Sequence, residues 1–362
     1  MSIEFLPPLA DMRDHPAPEL SMLPTKREKK RKANRPLIAN VKSSLPISYA
    51  RNGLAIIAKA VLAPGSKVLV PAYHCPALVE PFVWAQCEVD FYPLNDDLSP
   101  DIGAITDKLP TAKAIVLVPF FGFDQDIAGL AELARKHNCL PIDDLAHAAH
   151  SNTLHGDYGV TSLQKFYPIA TGGELLIANS VLDTRVVDCW HTSRIRPWRW
   201  LARESFTKIM MKLGGKGAIH RSSTDNFQYF DPSIVGEPMS HKDIRQISCQ
   251  DHASIAAARR NNYQILDTFL GQSRLGQPLY SKLGPNDVPY VYPFILDKAE
   301  YFKLIRDLAI PLYRWEEICP SGCKTSDIYR SVLIQFPCHQ DLTHQDLERL
   351  ISKLVLAEST VN

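Results

Sequence analysis

The chain has 362 residues, 45% of them hydrophobic and 22% charged, enough apolar material for one large domain and a smaller one. Forty basic residues against thirty-nine acidic ones leave a net charge of +1; no global field points to nucleic acid or to a membrane surface. The longest apolar run, AIVLVPFFGF, is too short to span a bilayer, and MSIEFLPPLADMRD lacks the basic start and apolar core of an export signal, so the expectation is a cytoplasmic protein.

Residues 1–47 read as an N-terminal arm, partly flexible. A Pro-rich leader is followed by the basic run KREKKRKANR at 26–35, the composition of a solvated, mobile segment. From residue 48 the pattern becomes regular. NGLAIIAKAVLA reads as a helix closed by PGS, KVLVPAY as a strand, PALVEPFVWAQC as a helix and EVDFYPL as a strand. IGAITDKL, AKAIVLVPFF, QDIAGLAELARKHN and CLPIDD continue the alternation of helix and strand. Alternation with buried runs such as VLVP and AIVLVP predicts an α/β fold, a mostly parallel sheet covered on both faces, over 48–245. WRWLARESFTKIMMKL predicts a helix with one broad apolar side, packed on its own protein or on a sister subunit. DHASIAAARRNNYQILDTFL reads as a bridging helix into a small α+β domain, the two together spanning 246–362 and including VPYVYPFIL, AEYFKLIRDLAI, SVLIQFP and THQDLERLISKLVLA.

The eight cysteines show no disulfide-framework spacing and read as reduced thiols. Cys319 and Cys323, with His339 nearby, are the one set resembling metal ligands; four-residue spacing without a second cysteine pair is weak, and no metal is expected.

Ligands of α/β sheets gather at the carboxyl ends of strands. There the sequence places Tyr73-His74-Cys75 after VLVPA, FFGF after AIVLVP, DDLAHAAH after CLPI, and SLQK after GVT. These supply an aromatic or imidazole, a glycine turn, a carboxylate with a nearby histidine, and an amine. Lys165 is either a nucleophile or a surface loop lysine; its acidic neighbours within ten residues are Asp157 and Glu174. A pyridoxal phosphate enzyme needs this kit: an amine for the aldehyde carbon, a carboxylate for the pyridine nitrogen, a flat side chain over the ring, and donors at a helix N-terminus for the phosphate. Asp144 or Asp143 can be the carboxylate. ARNGLAII, with Arg51, Asn52 and Gly53, can be the phosphate cradle, and the Ser162 hydroxyl a further donor.

The order of PGSKVLVPAYHCPALVE, TAKAIVLVPFFGFDQD, IDDLAHA, HGDYGVTSLQKFYPIATGGELL and VLIQFPCHQDLTHQDLERLISKL resembles the DegT/StrS sugar aminotransferases, a branch of the fold-type I pyridoxal phosphate enzymes. The resemblance runs from about residue 48 to 355, interrupted around 190–245. It implies Lys165 as the amine bonded to the cofactor, Asp144 beneath the pyridine nitrogen with Asp143 in place of a Glu, His147 at the phenolic oxygen and Ser162 at the phosphate. The ring-covering position falls in Tyr73-His74-Cys75, with His74 favoured. Only Leu163 and Gln164 separate Ser162 from Lys165, fewer residues than the family usually has, and Tyr167 falls where strict spacing would put the lysine. Phe120 or Phe121 replaces a family histidine, and Lys242-Asp243-Ile244-Arg245 is what remains of a substrate-holding signature.

The implied activity is transfer of an amino group, with glutamate as the expected donor, to a keto-sugar or other carbonyl acceptor. Partners are then small molecules and a second copy of the chain, with Trp198, Arg199 and Trp200 at the dimer interface or the substrate entrance. Two other readings stand beside it: a different reaction of the same cofactor, such as dehydration or epimerisation, and a non-catalytic binding or regulatory descendant.

Overall fold

The computed structural model describes residues 3–11, 14–26, 38–178, 183–192 and 227–361. The basic run from 27 onward and the segment carrying Trp198, Arg199 and Trp200 lie outside the described residues, as does WRWLARESFTKIMMKL.

The alternating segments build a seven-stranded sheet in the order β1-β7-β6-β5-β4-β2-β3. Its strands are β1 Ser43–Ile47, β2 Lys67–Pro71, β3 Glu88–Tyr92, β4 Ala114–Leu117, β5 Leu140–Leu145, β6 Tyr158–Ser162 and β7 Gly173–Ile177. From β3 to β6 all pairings are parallel, while β7 runs against both β6 and β1. Parallel strands need crossovers, supplied by α1 (Ala50–Val61), α2 (Pro76–Trp84), α3 (Ile102–Lys108) and α4 (Ile127–Lys136). Strands buried on both faces explain runs such as AIVL, in which every residue of β4 is buried. One apolar cluster packs α1 and α2 on one face, and a second continues from α3 and α4 on the other face into the C-terminal part.

That C-terminal part contains the helix His252–Leu270 and a four-stranded antiparallel sheet, β10-β11-β9-β8, of β8 Gly276–Pro278, β9 Val291–Leu296, β10 Tyr313–Arg314 and β11 Leu333–Pro337. The closing helix His344–Ser359 starts with a capping box: Thr343 Oγ1 accepts from the Asp346 N–H, and the Asp346 carboxylate accepts from the Thr343 N–H.

Where the sequence suggests a partly flexible arm over 1–47, the structure places two built segments. Ser43–Ile47 is an edge strand of the main sheet. The described residues of 3–26 lie along the C-terminal part: Leu6 N–H donates to Ile318 O at 2.9 Å, Arg330 to Pro7 O at 2.7 Å, and Lys353 pairs with Glu19 at 2.9 Å. Leu6, Leu20 and Met22 add apolar contact there, which a composition reading does not capture. No helix among the described residues is long and apolar enough to cross a membrane.

Candidate active site

The two adjacent acids of β5 diverge because successive side chains of a strand face opposite ways. Asp143 is fully buried and accepts the His155 N–H at 2.7 Å and the Gly156 N–H at 3.0 Å. It holds the loop that leads into β6, and burial pushes its carboxyl up to about 7. Asp144 lines a small cavity together with Lys165, His147, Tyr73, Cys75, Phe120 and Trp315. Burial raises the Asp144 carboxyl, opposed by the Lys165 charge and by the Ala146 N–H, which donates at 3.0 Å.

Lys165 ends a single 3-10 turn, Leu163–Lys165, directly after β6. It is half-buried and borders the cavity rather than standing out on a surface loop. Burial lowers its proton affinity; Cys75 and Asp144 oppose this shift and Arg51 adds to it. The ammonium nitrogen lies 5.2 Å from the Tyr290 ring centre, a contact that favours the cation where water is scarce. The acid closest in chemistry to this amine is thus Asp144 of a neighbouring strand, not Asp157 or Glu174 of its own segment.

His147 is held between rings, stacked on Phe121 at 5.6 Å and on Tyr290 at 4.7 Å, with Trp315 at 5.2 Å. Its Nδ1 accepts the Phe121 N–H at 3.4 Å. Burial, then the Lys165 charge, drives its pKa well below the usual histidine range, so the ring is neutral and carries its proton on Nε2. Phe121, which supplies both the stack and the donor, has a left-handed backbone at φ 59°. A bulky side chain in that region is strained and persists where its surroundings fix it.

Tyr73, His74 and Cys75 all border the cavity. His74, the favoured ring cover, is also held by groups behind it. Its Nδ1 lies 3.0 Å from Ala72 O, Nε2 accepts the Cys319 N–H at 3.2 Å, and its face stacks on Phe91 at 4.9 Å. Burial pushes its pKa down to about 4. Tyr73 is fully buried and stacks on Trp315 at 5.2 Å. Cys75, the N-cap residue of α2, borders the cavity, and both Lys165 and Asp144 act on its thiol. Trp315 is the cavity residue that sequence reasoning missed. It comes from the segment after β10, remote in sequence, and no motif marks it.

The residues expected to cradle a phosphate do not line this cavity. The Arg51 guanidinium lies 4.3 Å over the Tyr49 ring, close enough for its charge to act on Lys165. Asn52 donates from Nδ2 to Ser48 Oγ and Ile234 O, both at 2.8 Å, while its buried Oδ1 has no hydrogen-bond partner. Gly53 serves packing, because a Cβ there would meet Ile47 Cδ1 at 2.6 Å and Val160 Cγ1 at 2.7 Å. Ser162 is buried at the end of β6. Asp243, of the shortened signature, accepts from Ser240 Oγ at 2.8 Å and belongs to a helix start. Cys319 and Cys323 are buried, the Cys323 thiol facing Leu94 O at 3.8 Å, and His339 lies 3.0 Å from Ser21 O.

Residues 40–181 match the DegT/DnrJ/EryC1/StrS aminotransferase family, the stretch that carries β1 to β7 and Lys165. A curated UDP-N-acetyl-3-dehydro-alpha-D-glucosamine 3-aminotransferase of Acidithiobacillus ferrooxidans is 26% identical over 136 residues, 34% of this chain and 37% of that protein. The match thus spans little more than a third of the relative's length. Among solved structures, the aminotransferase TlmJ of Streptoalloteichus hindustanus superposes with a TM-score of 0.66 at 16% identity, covering 88% of this chain and 87% of that one. A putative sugar aminotransferase of Streptococcus pneumoniae in its PLP form gives 0.63 at 15%, covering 89% and 88%. The resemblance read from the five motifs is borne out, and the α/β fold is that of these enzymes.

Proposed function

We propose that the chain, similar over residues 40–181 to the DegT/DnrJ/EryC1/StrS aminotransferases, is itself a pyridoxal phosphate-dependent aminotransferase that moves an amino group from a small donor, expected to be glutamate, to a keto-sugar or other carbonyl acceptor. The observation that carries this reading is one cavity bordered by a half-buried amine, a half-buried carboxylate and a buried, neutral imidazole. Pyridoxal phosphate, when bound, supplies an aldehyde carbon for amine exchange and a ring that draws electrons from the substrate carbon.

The donor set fits that group. Burial keeps more of the Lys165 amine neutral than an exposed lysine would be, the state in which nitrogen is nucleophilic and can take up a proton at the substrate α-carbon. The Asp144 carboxylate can hold a proton on a ring nitrogen. The Nε2 proton of His147 can be donated to a phenolic oxygen, and the rings around it fix its plane. Asn52 Oδ1, Ser162 and the Arg51 charge remain candidates for the far side of the site. The cavity as it stands encloses about 30 Å³, room for only about two waters. Trp315 and Tyr73, stacked on each other, are among its walls, and a substituted pyridine needs more room than this. That narrowness is what favours the second reading, a non-catalytic descendant of the fold.

The two readings separate in a spectrum. Incubated with pyridoxal phosphate, the wild type gains visible absorbance that Lys165→Ala lacks, and amino donors convert the loaded protein to its amine form. An unchanged spectrum in Lys165→Ala removes Lys165 from the mechanism, and a loaded protein that no donor converts is not a transaminase. A cytoplasmic homodimer with the site between subunits, as the resemblance implies, belongs to the same proposal and is tested by sedimentation.

A further inference from the structure

A 3-10 turn leaves its last carbonyls without intrahelical donors, and Pro168 stops the chain after Lys165 from continuing as a helix. Two side chains from elsewhere take up those carbonyls. Arg259, on the helix His252–Leu270 and fully buried, donates from Nη2 to Lys165 O at 3.1 Å. Gln340, in the loop after β11, donates from Nε2 to the next carbonyl, Phe166 O, at 2.8 Å. The two are joined, because Arg259 Nε donates to Gln340 Oε1 at 3.0 Å. The same guanidinium donates from Nη1 to Tyr290 O at 3.0 Å and Pro289 O at 3.2 Å, and covers the Phe166 ring at 4.5 Å. One fork therefore fixes the backbone at both ends of the contact between the Lys165 nitrogen and the Tyr290 ring.

We propose that Arg259 and Gln340 are positioning residues: a bracket from the C-terminal part that sets where the Lys165 amine sits. The inference rests on the proposed function in that Lys165 is the working amine. A guanidinium stays charged in any surroundings, and this one is buried against four carbonyl oxygens and the Phe166 ring, so it holds all of them in one place. Its planar fork reaches three segments at once, which a lysine cannot do. The groups around the amine, Arg51 of α1, Cys75 at the start of α2, Asp144 of β5, neutral His147 and the Tyr290 ring, act on it at fixed distances only while the turn is held.

The test uses the full chain without added cofactor. Reductive methylation with formaldehyde and cyanoborohydride at a series of pH values, read by peptide mass spectrometry, reports when each lysine is neutral. In Gln340→Ala, a change at a half-buried loop residue, the Lys165 midpoint rises by about half a pH unit or more as water reaches the loosened turn; exposed Lys282 keeps its profile and the melting temperature changes little. Arg259→Lys shifts Lys165 further in the same direction. A Lys165 midpoint in folded Gln340→Ala that equals or falls below the wild-type value overturns the bracket, and this variant decides alone if Arg259→Lys does not fold. Because no cofactor is present, failure here leaves the proposed function standing, and failure of the cofactor spectrum leaves this titration intact.

Discussion

Asp143 and Asp144 are identical in type and adjacent in sequence, yet β5 divides them between holding a loop and facing the lysine. The residues alone leave open which of the two faces the cavity; the strand pleat turns Asp144 to it and Asp143 to two loop N–H groups whose direction no spacing rule contains. Tyr73, His74 and Cys75 all border the cavity, and the imidazole is held there by Ala72 O, the Cys319 N–H and the Phe91 ring, contacts that no spacing rule contains. Lys165 is legible because it follows a strand in an otherwise uncharged segment. Asp143 makes a pH-dependent prediction. Its folded pKa of about 7 lies above the unfolded value of about 4, so the proton it binds contributes stability that is complete below the unfolded value. That contribution is lost as pH rises through the folded value. Asn cannot titrate. The difference in melting temperature, wild type minus Asp143→Asn, therefore declines between about pH 4 and pH 7; parallel curves would remove this assignment.

At the scale of elements, the parallel strands and their crossover helices are readable from period and turn signals, and β2 to β6 form where KVLVP, EVDFY, AIVL, CLPIDD and GVT place them. Two strands are not readable. SSLPI lies beside a Pro-rich leader, and GELLI follows a glycine pair that reads as a turn, so β1 and β7 depend on each other and on β6 for their pairing. Gly53 reads as part of a phosphate turn, whereas its absent side chain lets α1 lie against β1 and β6. Gly53→Ala puts a methyl into that contact and should cost about 1–3 kcal/mol, the usual range for overpacking. Denaturant unfolding checks this; a variant as stable as the wild type would mean that the helix can shift without loss.

On the scale of the whole molecule, the N-terminal segment and the C-terminal part meet beside the cavity. Glu316 accepts the N–H groups of Leu9 and Ala10 and the Arg314 guanidinium, and Leu6 pairs with Ile318. Trp315, which lines the cavity, lies inside this stretch, so the strap fastens residues on its C-terminal side. None of this is visible in the sequence, because it joins positions about three hundred residues apart through backbone donors. Deleting residues 1–11 should lower the melting temperature and increase acrylamide quenching of Trp315, with Trp315→Phe identifying its share of the emission. Quenching unchanged by the deletion would show that the strap does not hold Trp315 in place.

The claim that the amine at 165 does the chemistry is tested most directly by trapping it. The full chain is incubated with pyridoxal phosphate, reduced with borohydride, digested and mapped by mass spectrometry. The account predicts stable addition of the cofactor to the peptide containing Lys165 and none at that site in Lys165→Ala. Label spread over exposed lysines, and equal in the two proteins, would contradict it.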